Sequence, residues 1–527
     1  MDDHITRALS LSRRRMLAAG LGAFLAPALD PRQALAQPVF ADYPFQLGVA
    51  AGDPAPDGFV IWTRLAPDPL TPGHGMPARP VPVSWEVAED EAFARIAAKG
   101  EAVARPELAH AVHVEVAGLS PGRTYHYRFI AGSERSLTGR ARTTPAAGAS
   151  LARARFGVVG CQHYEQGLYT AHRRLAQEDE LDFVYCYGDY IYEGRTARVW
   201  NSGAGPQANQ RQHVGQEIYS LDDYRRRYAQ YKMDADLQAS HAAAAWFVTW
   251  DDHEIDNNWV SDLDQDGTDP ALFRLRQQSA MQVFYEHMPL RRSAFPAGPA
   301  MRLYRRADYG SLLRLNLLDT RQYRTDHPCD GRWGVCDELE RPAEVLGAAQ
   351  ERFVFDSLSA SPARWNVLAQ QVMMMDLDRD PGPGYMANPD SWGGYRAPRA
   401  RLLRHIRDRQ VSNPVVLTGD EHQNYAGELH LNGREPGPRA IATEFVATSI
   451  TSGGDGTDQS PRMAQIQAAN PQLNFNNSQR GYLLCDVTPK RFETAFRVMD
   501  KVSAPGGAVS TRIKLAVPAG ETVVVPA

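Results

Sequence analysis

Cysteine is scarce. Five cysteines in 527 residues cannot form a disulfide scaffold in a chain of this length. A charge excess of either sign is also missing. Lys+Arg total 57 against Asp+Glu 62, a net charge of -5, so a basic surface for nucleic acid is not expected. The sequence shows no internal repeat. Beyond the first forty residues, no run is apolar enough to cross a bilayer, which takes roughly 20 residues. The H-E-x-x-H zinc motif is absent, because His253-Glu254 is followed by Ile255-Asp256-Asn257. What remains is a globular composition, 43% hydrophobic and 23% charged, which excludes disorder and coiled coil for most of the chain. At about 100–200 residues per domain, the length allows two to four domains, or one large α/β unit plus a small one. Glycine (42) and proline (36) run slightly above average usage and point to long connecting loops.

The first residues read as an address. Ser12-Arg13-Arg14-Arg15-Met16-Leu17 is a twin-arginine pattern, Leu17 to Leu29 is apolar and small, and Ala34-Leu35-Ala36 fits a signal peptidase site. Residues 1–36 are therefore expected to be a twin-arginine signal peptide. The partner is the twin-arginine export machinery, and the mature protein, starting near Gln37, is expected to be periplasmic or secreted with no transmembrane segment. That route carries folded proteins, which suits a metal loaded before export. Residues 40–147 read as a β domain. Val81–Val87 and His113–Val116 alternate with period two, and Thr124–Phe129 follows the turn Gly118-Leu119-Ser120-Pro121-Gly122. This pattern resembles a fibronectin type III-like sandwich. The turn also matches G-x-S-x-G, but a strand follows it where a nucleophile elbow needs a helix. A serine hydrolase is set aside on that ground.

After a linker at Thr143–Gly148, strands and helices alternate over 150–527, the expected catalytic domain. The predicted strands are Arg155–Gly160, Asp182–Tyr187, Ala244–Thr249, Leu312–Leu318, Trp365–Ala369, Pro414–Thr418 and Glu444–Ile450. A helix is expected at Leu168–Glu178. In such folds, ligands bind beyond the carboxyl ends of the strands. Here four strands, read as one sheet, end in metal-binding residue types: Cys161, Asp189, Asp252-His253 and Asp420-x-His422. A single Asp after a strand is ordinary helix capping. Several together repel each other unless a cation lies among them. The pattern implies a metal centre with more than one ion. Asp and Tyr192 oxygen, His nitrogen and Cys sulfur do not make a closed structural zinc site. They suit a harder, higher-valent ion beside a divalent one. Paired metals about 3.5–4 Å apart hold the attacking and leaving oxygens of a phosphoryl displacement and lower the pKa of bound water.

Five segments resemble the PhoD-like alkaline phosphatase/phosphodiesterase family: Gly160-Cys161-Gln162, Gly188-Asp189-Tyr190-Ile191-Tyr192-Glu193, Trp250-Asp251-Asp252-His253-Glu254, Leu318-Asp319-Thr320-Arg321-Gln322-Tyr323-Arg324 and Gly419-Asp420-Glu421-His422-Gln423-Asn424. The twin-arginine signal and the N-terminal β domain fit as well. The resemblance covers essentially the whole mature chain. It implies a calcineurin-like metallophosphoesterase fold, a β-sandwich flanked by helices. It also implies a secreted phosphodiesterase or phosphomonoesterase containing ferric iron and calcium. Carried over by motif, Cys161, Asp189 and Tyr192 are the implied iron ligands, with Asp189 bridging to calcium. Asp252 takes the place of an asparagine ligand in related enzymes. His253 takes the place of the histidine that polarises the phosphate or protonates the leaving group. Asp420 and His422 form the last ligand motif, and Arg321 is the candidate phosphate contact, with a salt bridge to Asp319 or a neighbour as its alternative. His163 occupies the second position of a D-x-H-like pattern in the wider superfamily, where the PhoD-like pattern does not demand histidine, so its role stays open. The implied mechanism is in-line attack on phosphorus by a metal-activated hydroxide, with His253 assisting the leaving alkoxide.

Other features carry less. Asp262-x-Asp264-x-Asp266-Gly267 begins like an EF-hand loop but has Phe273 at the twelfth position and Pro270 inside. Cys329 and Cys336 lie in a polar loop and are able to pair after export. Cys186 and Cys485 sit in apolar strands and are expected to pack as small hydrophobes. Residues 195–220 and 377–397 read as long loops near the site. The favoured function is a phosphoric ester hydrolase, with a phospholipase D-like hydrolase of lipid headgroups as the alternative. An extracytoplasmic carbohydrate or cell-wall binding protein is the reading from a different class.

Overall fold

Three short strands, β1 (Ala154–Val159), β2 (Phe183–Cys186) and β3 (Ala245–Val248), lie side by side and parallel, with Val184 opposite both Gly157 and Trp246. They are apolar almost throughout because both faces of a parallel sheet are covered. In the computed structural model, which describes residues 38–527 apart from 197–198, 203–204, 299, 434–436 and 438, they form the middle of a ten-stranded sheet. Residues 1–36, where a signal peptide is expected, lie outside the described residues. On one side of β1, the strands Gly481–Val487, Arg491–Met499 and Val509–Pro518 continue the sheet antiparallel. On the far side of β3 come Val49–Ala55, Gly58–Arg64 and Ala111–Val116.

A second, seven-stranded sheet holds β4 (Leu313–Leu317), β5 (Trp365–Ala369), β6 (Pro414–Thr418) and β7 (Ala442–Val446), again parallel, in the register Leu315–Val367–Val415–Thr443. The two sheets share one core. Phe156, Val158 and Tyr185 from the first pack in the same cluster as Leu315, Val367 and Val415 from the second. Helices cover the outer faces. On the first sheet these are α1 (Thr170–Ala176), α2 (Leu221–Lys232), α3 (Ala235–Ala243) and α4 (Pro270–His287), whose buried residues join the cluster around Val184 and Trp246. On the second they are α5 (Gly347–Ser359), α6 (Arg396–Asp408) and α7 (Pro461–Ala469). The result is a mixed α/β fold of four layers.

The expectation that all the ligand-bearing strands lie in one sheet is corrected. β1, β2 and β3 belong to the ten-stranded sheet, whereas β6, which leads to Asp420, belongs to the seven-stranded one. Every one of these strands is buried on both faces, so their hydrophobic pattern holds no information about sheet membership. The chain changes sheets through Arg305–Tyr309, which pairs antiparallel with β4.

The strands expected near 81, 113 and 124 are present at Val81–Ala88, Ala111–Val116 and Thr124–Ala131. The first and third belong to a small five-stranded sheet, while Ala111–Val116 completes the edge of the large one. The two surfaces enclose a common core that includes Phe59, Ile61, Val83, Tyr127 and Phe129. A strand follows Gly118–Gly122 directly, in keeping with a turn and not a nucleophile elbow. No described helix is long and apolar enough to cross a membrane.

Candidate metal centre

The site forms where the carboxyl ends of β1, β2, β3 and β6 meet. The close approach rests on Tyr187, whose ring lies against both Gly160 and Gly419. A Cβ at either glycine would come within 2.3 Å and 2.1 Å of the ring. Beyond the glycines the backbone turns sharply. Cys161, Asp189, Asp420 and His422 all have positive φ, at 49°, 54°, 66° and 54°. Each such non-glycine residue costs on the order of 1–3 kcal/mol and persists only where its surroundings impose it. Glu254 supplies part of that constraint. Its buried carboxylate accepts the backbone N–H groups of Asp189 (3.1 Å), Tyr190 (2.5 Å) and Asp251 (2.8 Å), which ties the loop after β2 to the loop after β3.

Three sets of ligand atoms come within 4.8 Å of one another: Cys161, Asp189 and His422; Asp189, Asp252 and His253; and Asp251, Asp252 and Asp420. Asp189 belongs to the first two and Asp252 to the last two, so the sets form a chain of three adjoining positions linked by shared carboxylates. The Tyr192 hydroxyl joins the first position. It donates to Asp189 Oδ2 at 2.8 Å, lies 3.3 Å from His422 Nε2, and accepts from Ser452 Oγ at 2.7 Å. Asp251 Oδ2 and Asp252 Oδ1 are buried and have no hydrogen-bond partner. Orphaned carboxylate oxygens in a buried cluster are what a bound cation satisfies. Burial, then the charge of neighbouring acids, pushes Asp420 well above the usual carboxylate range. Burial with the charges of Asp189, Asp420 and Asp251 does the same to the Cys161 thiol. A cation reverses both effects.

His253 is set apart from the other ligands by its partner. Its Nδ1–H donates to Glu193 Oε2 at 2.7 Å, and Glu193 Oε1 accepts the Asn257 N–H at 2.8 Å. Burial disfavours the charged ring, but Glu193, Asp252 and Asp189 outweigh it and raise the His253 pKa well above its ordinary value.

Arg321 is placed differently from the expected phosphate contact. Its side chain is fully buried. Nε donates to Asp251 Oδ1 at 2.5 Å, and Nη1 and Nη2 grip both oxygens of Asp390 at 2.7 and 2.9 Å. Asp252 and Asp420 lie 3.7 and 3.8 Å from Nη2. The salt-bridge alternative is the one the geometry displays. His163 stands outside all three ligand sets. Its ring packs on Tyr192 (4.4 Å between centroids) and His213 (5.4 Å).

Asp251, Glu193 and Asp390 went unassigned in the sequence. Asp251 and Glu193 lie inside quoted motifs, where neighbouring residues already filled the roles. Asp390 has no signal at all, being one acid in a Pro- and Gly-rich loop. In the EF-hand-like start, Asp262 is paired with Arg274. The site opens into a cleft of about 770 Å³ walled by the 377–397 loop and by residues 325–343. Cys329 and Cys336 form a disulfide in that wall. Cys186 and Cys485 are buried and unpaired.

Residues 156–496 match the family model of the PhoD-like phosphatase, and residues 31–145 match that of the PhoD-like phosphatase N-terminal domain. Alkaline phosphatase D of Bacillus subtilis (strain 168) is 46% identical over 495 residues, covering 93% of this chain and 84% of that protein. A solved structure of PhoD superposes with a TM-score of 0.90 at 46% identity, over 93% of each chain. With most of its length matched in sequence and in fold, the chain belongs to the PhoD-like phosphatase family and is a phosphoric ester hydrolase.

Proposed function

We propose that the chain hydrolyses phosphoric diesters and monoesters at the linked carboxylate cluster, with ferric iron and calcium as its metals. The observation that carries this reading is the sharing of Asp189 and Asp252 among three adjoining ligand sets. The Cys161 thiolate and Tyr192 phenolate, both anions, suit a ferric ion together with Asp189 and His422. The set Asp251, Asp252 and Asp420 is all oxygen and suits calcium. Bound there, such ions supply Lewis-acid charge and lower the pKa of a water. The protein does the rest. Glu254 holds the ligand loops in register, and Ser452 orients the Tyr192 hydroxyl. The charged His253 ring, steered by Glu193, faces the cluster as the donor to a leaving alkoxide. Arg321 acts through Asp251 and Asp390 and keeps the acidic cluster in place.

The N-terminal segment over 40–147 is proposed as a fibronectin type III-like sandwich that shares its large sheet with the catalytic part. The remainder, 150–527, is proposed as a calcineurin-like sandwich, supported by the two sheets with helices outside. Export through the twin-arginine route to the periplasm or beyond is the accompanying proposal for residues 1–36.

The test is turnover of bis(p-nitrophenyl) phosphate by the mature protein, with and without chelator, beside Cys161→Ala. Chelator-sensitive turnover that the variant loses, together with its iron, is the expected result. Full turnover in chelator would sink the metal reading. Glu193→Gln offers a second check. It keeps the shape but removes the charge that holds His253 protonated. We expect kcat to fall by about 10–100-fold, the usual size for such outer-shell partners. The alkaline limb of the kcat–pH profile should move to lower pH, since the His253 proton is then lost earlier. An unmoved alkaline limb would detach Glu193 from the acid step.

A further inference from the structure

The cleft mouth carries a feature that the phosphorus chemistry does not use. Trp62, Trp246, Trp250, Trp259, Trp365 and Trp392 are buried, but Trp333 is 52% exposed and Val335, two residues on, is 58% exposed. Both lie in the short loop closed by the Cys329–Cys336 disulfide, whose Cα atoms are 5.7 Å apart. Three further restraints fix that loop. Gly334 and Ala387 exchange backbone hydrogen bonds at 3.1 and 3.3 Å. The Cys329 N–H donates to Glu338 Oε2 at 2.9 Å. His327 Nε2, just before the loop, donates to Asp390 Oδ1 at 2.7 Å, the carboxylate that also receives Arg321. Beside the indole, the Arg379 guanidinium lies 5.5 Å from the ring centroid while donating to Glu421, the neighbour of Asp420.

Trp333 therefore lines the same cleft as Asp390 and Asp420, and it is held there by a covalent bond and by contacts that lead back to the carboxylate cluster. An aromatic ring fixed in advance gives a ligand a flat apolar face at little entropy cost. The charges around it are paired: Asp330 with Arg332 at 3.2 Å and Glu338 with Arg341 at 2.9 Å. The exposed indole face is left as the apolar surface of this wall and suits an organic group.

We propose that Trp333 is a specificity-determining residue. Its indole stacks an organic group of the ester, and the disulfide holds the platform at a fixed distance from the reacting phosphorus. It selects esters with a flat or apolar substituent over esters without one. This rests on the phosphoric ester hydrolysis described above.

The test measures KM for bis(p-nitrophenyl) phosphate and the inhibition constant of inorganic phosphate in the metal-loaded protein. The variants are Trp333→Ala, Trp333→Phe and the double Cys329→Ser/Cys336→Ser. Inorganic phosphate has nothing to stack, so it reports on the metal cluster alone. Trp333→Ala should raise KM about tenfold, as expected for the loss of one stacked aromatic pair, with kcat and phosphate inhibition unchanged. Trp333→Phe should restore most of the loss, and the double serine variant should raise KM in the same direction. An unchanged KM in Trp333→Ala overturns the proposal. A rise in KM matched by equal weakening of phosphate inhibition also overturns it, because the wall would then act by shaping the carboxylate cluster. Absence of chelator-sensitive turnover in the wild type is the failure of the underlying reading, visible before any variant is compared, and the proposal falls with it.

Discussion

Asp252→Asn is expected to lower kcat for a phosphoric diester by about 10²–10³-fold, the scale set by removing one electrostatic contact to the transition state, and to reduce bound metal. Asp252 is shared by two of the three ligand sets, so one substitution weakens two positions at once. The variant tests charge rather than shape. Asp252 Oδ2 accepts the Asn258 N–H at 2.8 Å, and an asparagine oxygen is able to keep that bond. The other oxygen, Oδ1, is buried without a hydrogen-bond partner, 3.7 Å from Arg321 Nη2, and there the variant puts an amide that repels a cation. In the metal-free protein, burial disfavours the Asp252 charge, but Arg321 and the charged His253 ring outweigh it and hold Asp252 below the usual carboxylate range, so its charge is attracted more than it is repelled. The variant should therefore unfold at a slightly lower temperature than wild type in the presence of chelator. With metal added, wild type should gain stability by mass action and the variant should gain less. Metal content by elemental analysis and thermal unfolding with and without chelator check both parts. Full metal content with full turnover would remove Asp252 from the site.

The strands of the catalytic part were legible because parallel strands buried on both faces read as continuous apolar runs. Trp365–Ala369 and Pro414–Thr418 are observed at the expected residues. The site residues were legible for a related reason: each follows the end of such a run, where a sharp turn must come. Cys161, Asp189, Asp252, His253, Asp420 and His422 all come together. Sheet membership was not legible, since a doubly buried strand looks the same in either sheet. Pair contacts were not legible either. Nothing near Asp390 in sequence announces that Arg321, Arg324 and His327 converge on it. Arg321 beside Asp319 suggested a local partner, but Asp319 is taken up by the backbone N–H groups of Arg321 and Gln322. The guanidinium reaches instead to residues 70 and 69 positions away.

That arrangement sets the second large effect. Arg321→Ala is expected to destabilise the protein by about 3–5 kcal/mol, the cost of removing one partner from a buried ion pair. Both Arg321 and Asp251 have fully buried side chains, so solvent cannot replace the lost cation. The bidentate grip on Asp390 is specific to the planar guanidinium fork. Arg321→Lys should therefore recover only part of the loss, since an ammonium cannot span Asp251 and both oxygens of Asp390 together. The pattern separates two roles for this residue. A phosphate contact would raise KM and leave the unfolding temperature and metal content near wild type. A positioning residue would lower stability first, most strongly in chelator, where Asp251, Asp252, Asp390 and Asp420 lose their main countercharge and no ion replaces it. Added metal should then rescue part of the stability of Arg321→Ala, because cations in the cluster supply some of the missing charge. Unfolding midpoints for both variants, with and without metal, decide between the two roles. A fully stable Arg321→Ala with a raised KM would restore the phosphate contact and end the positioning role.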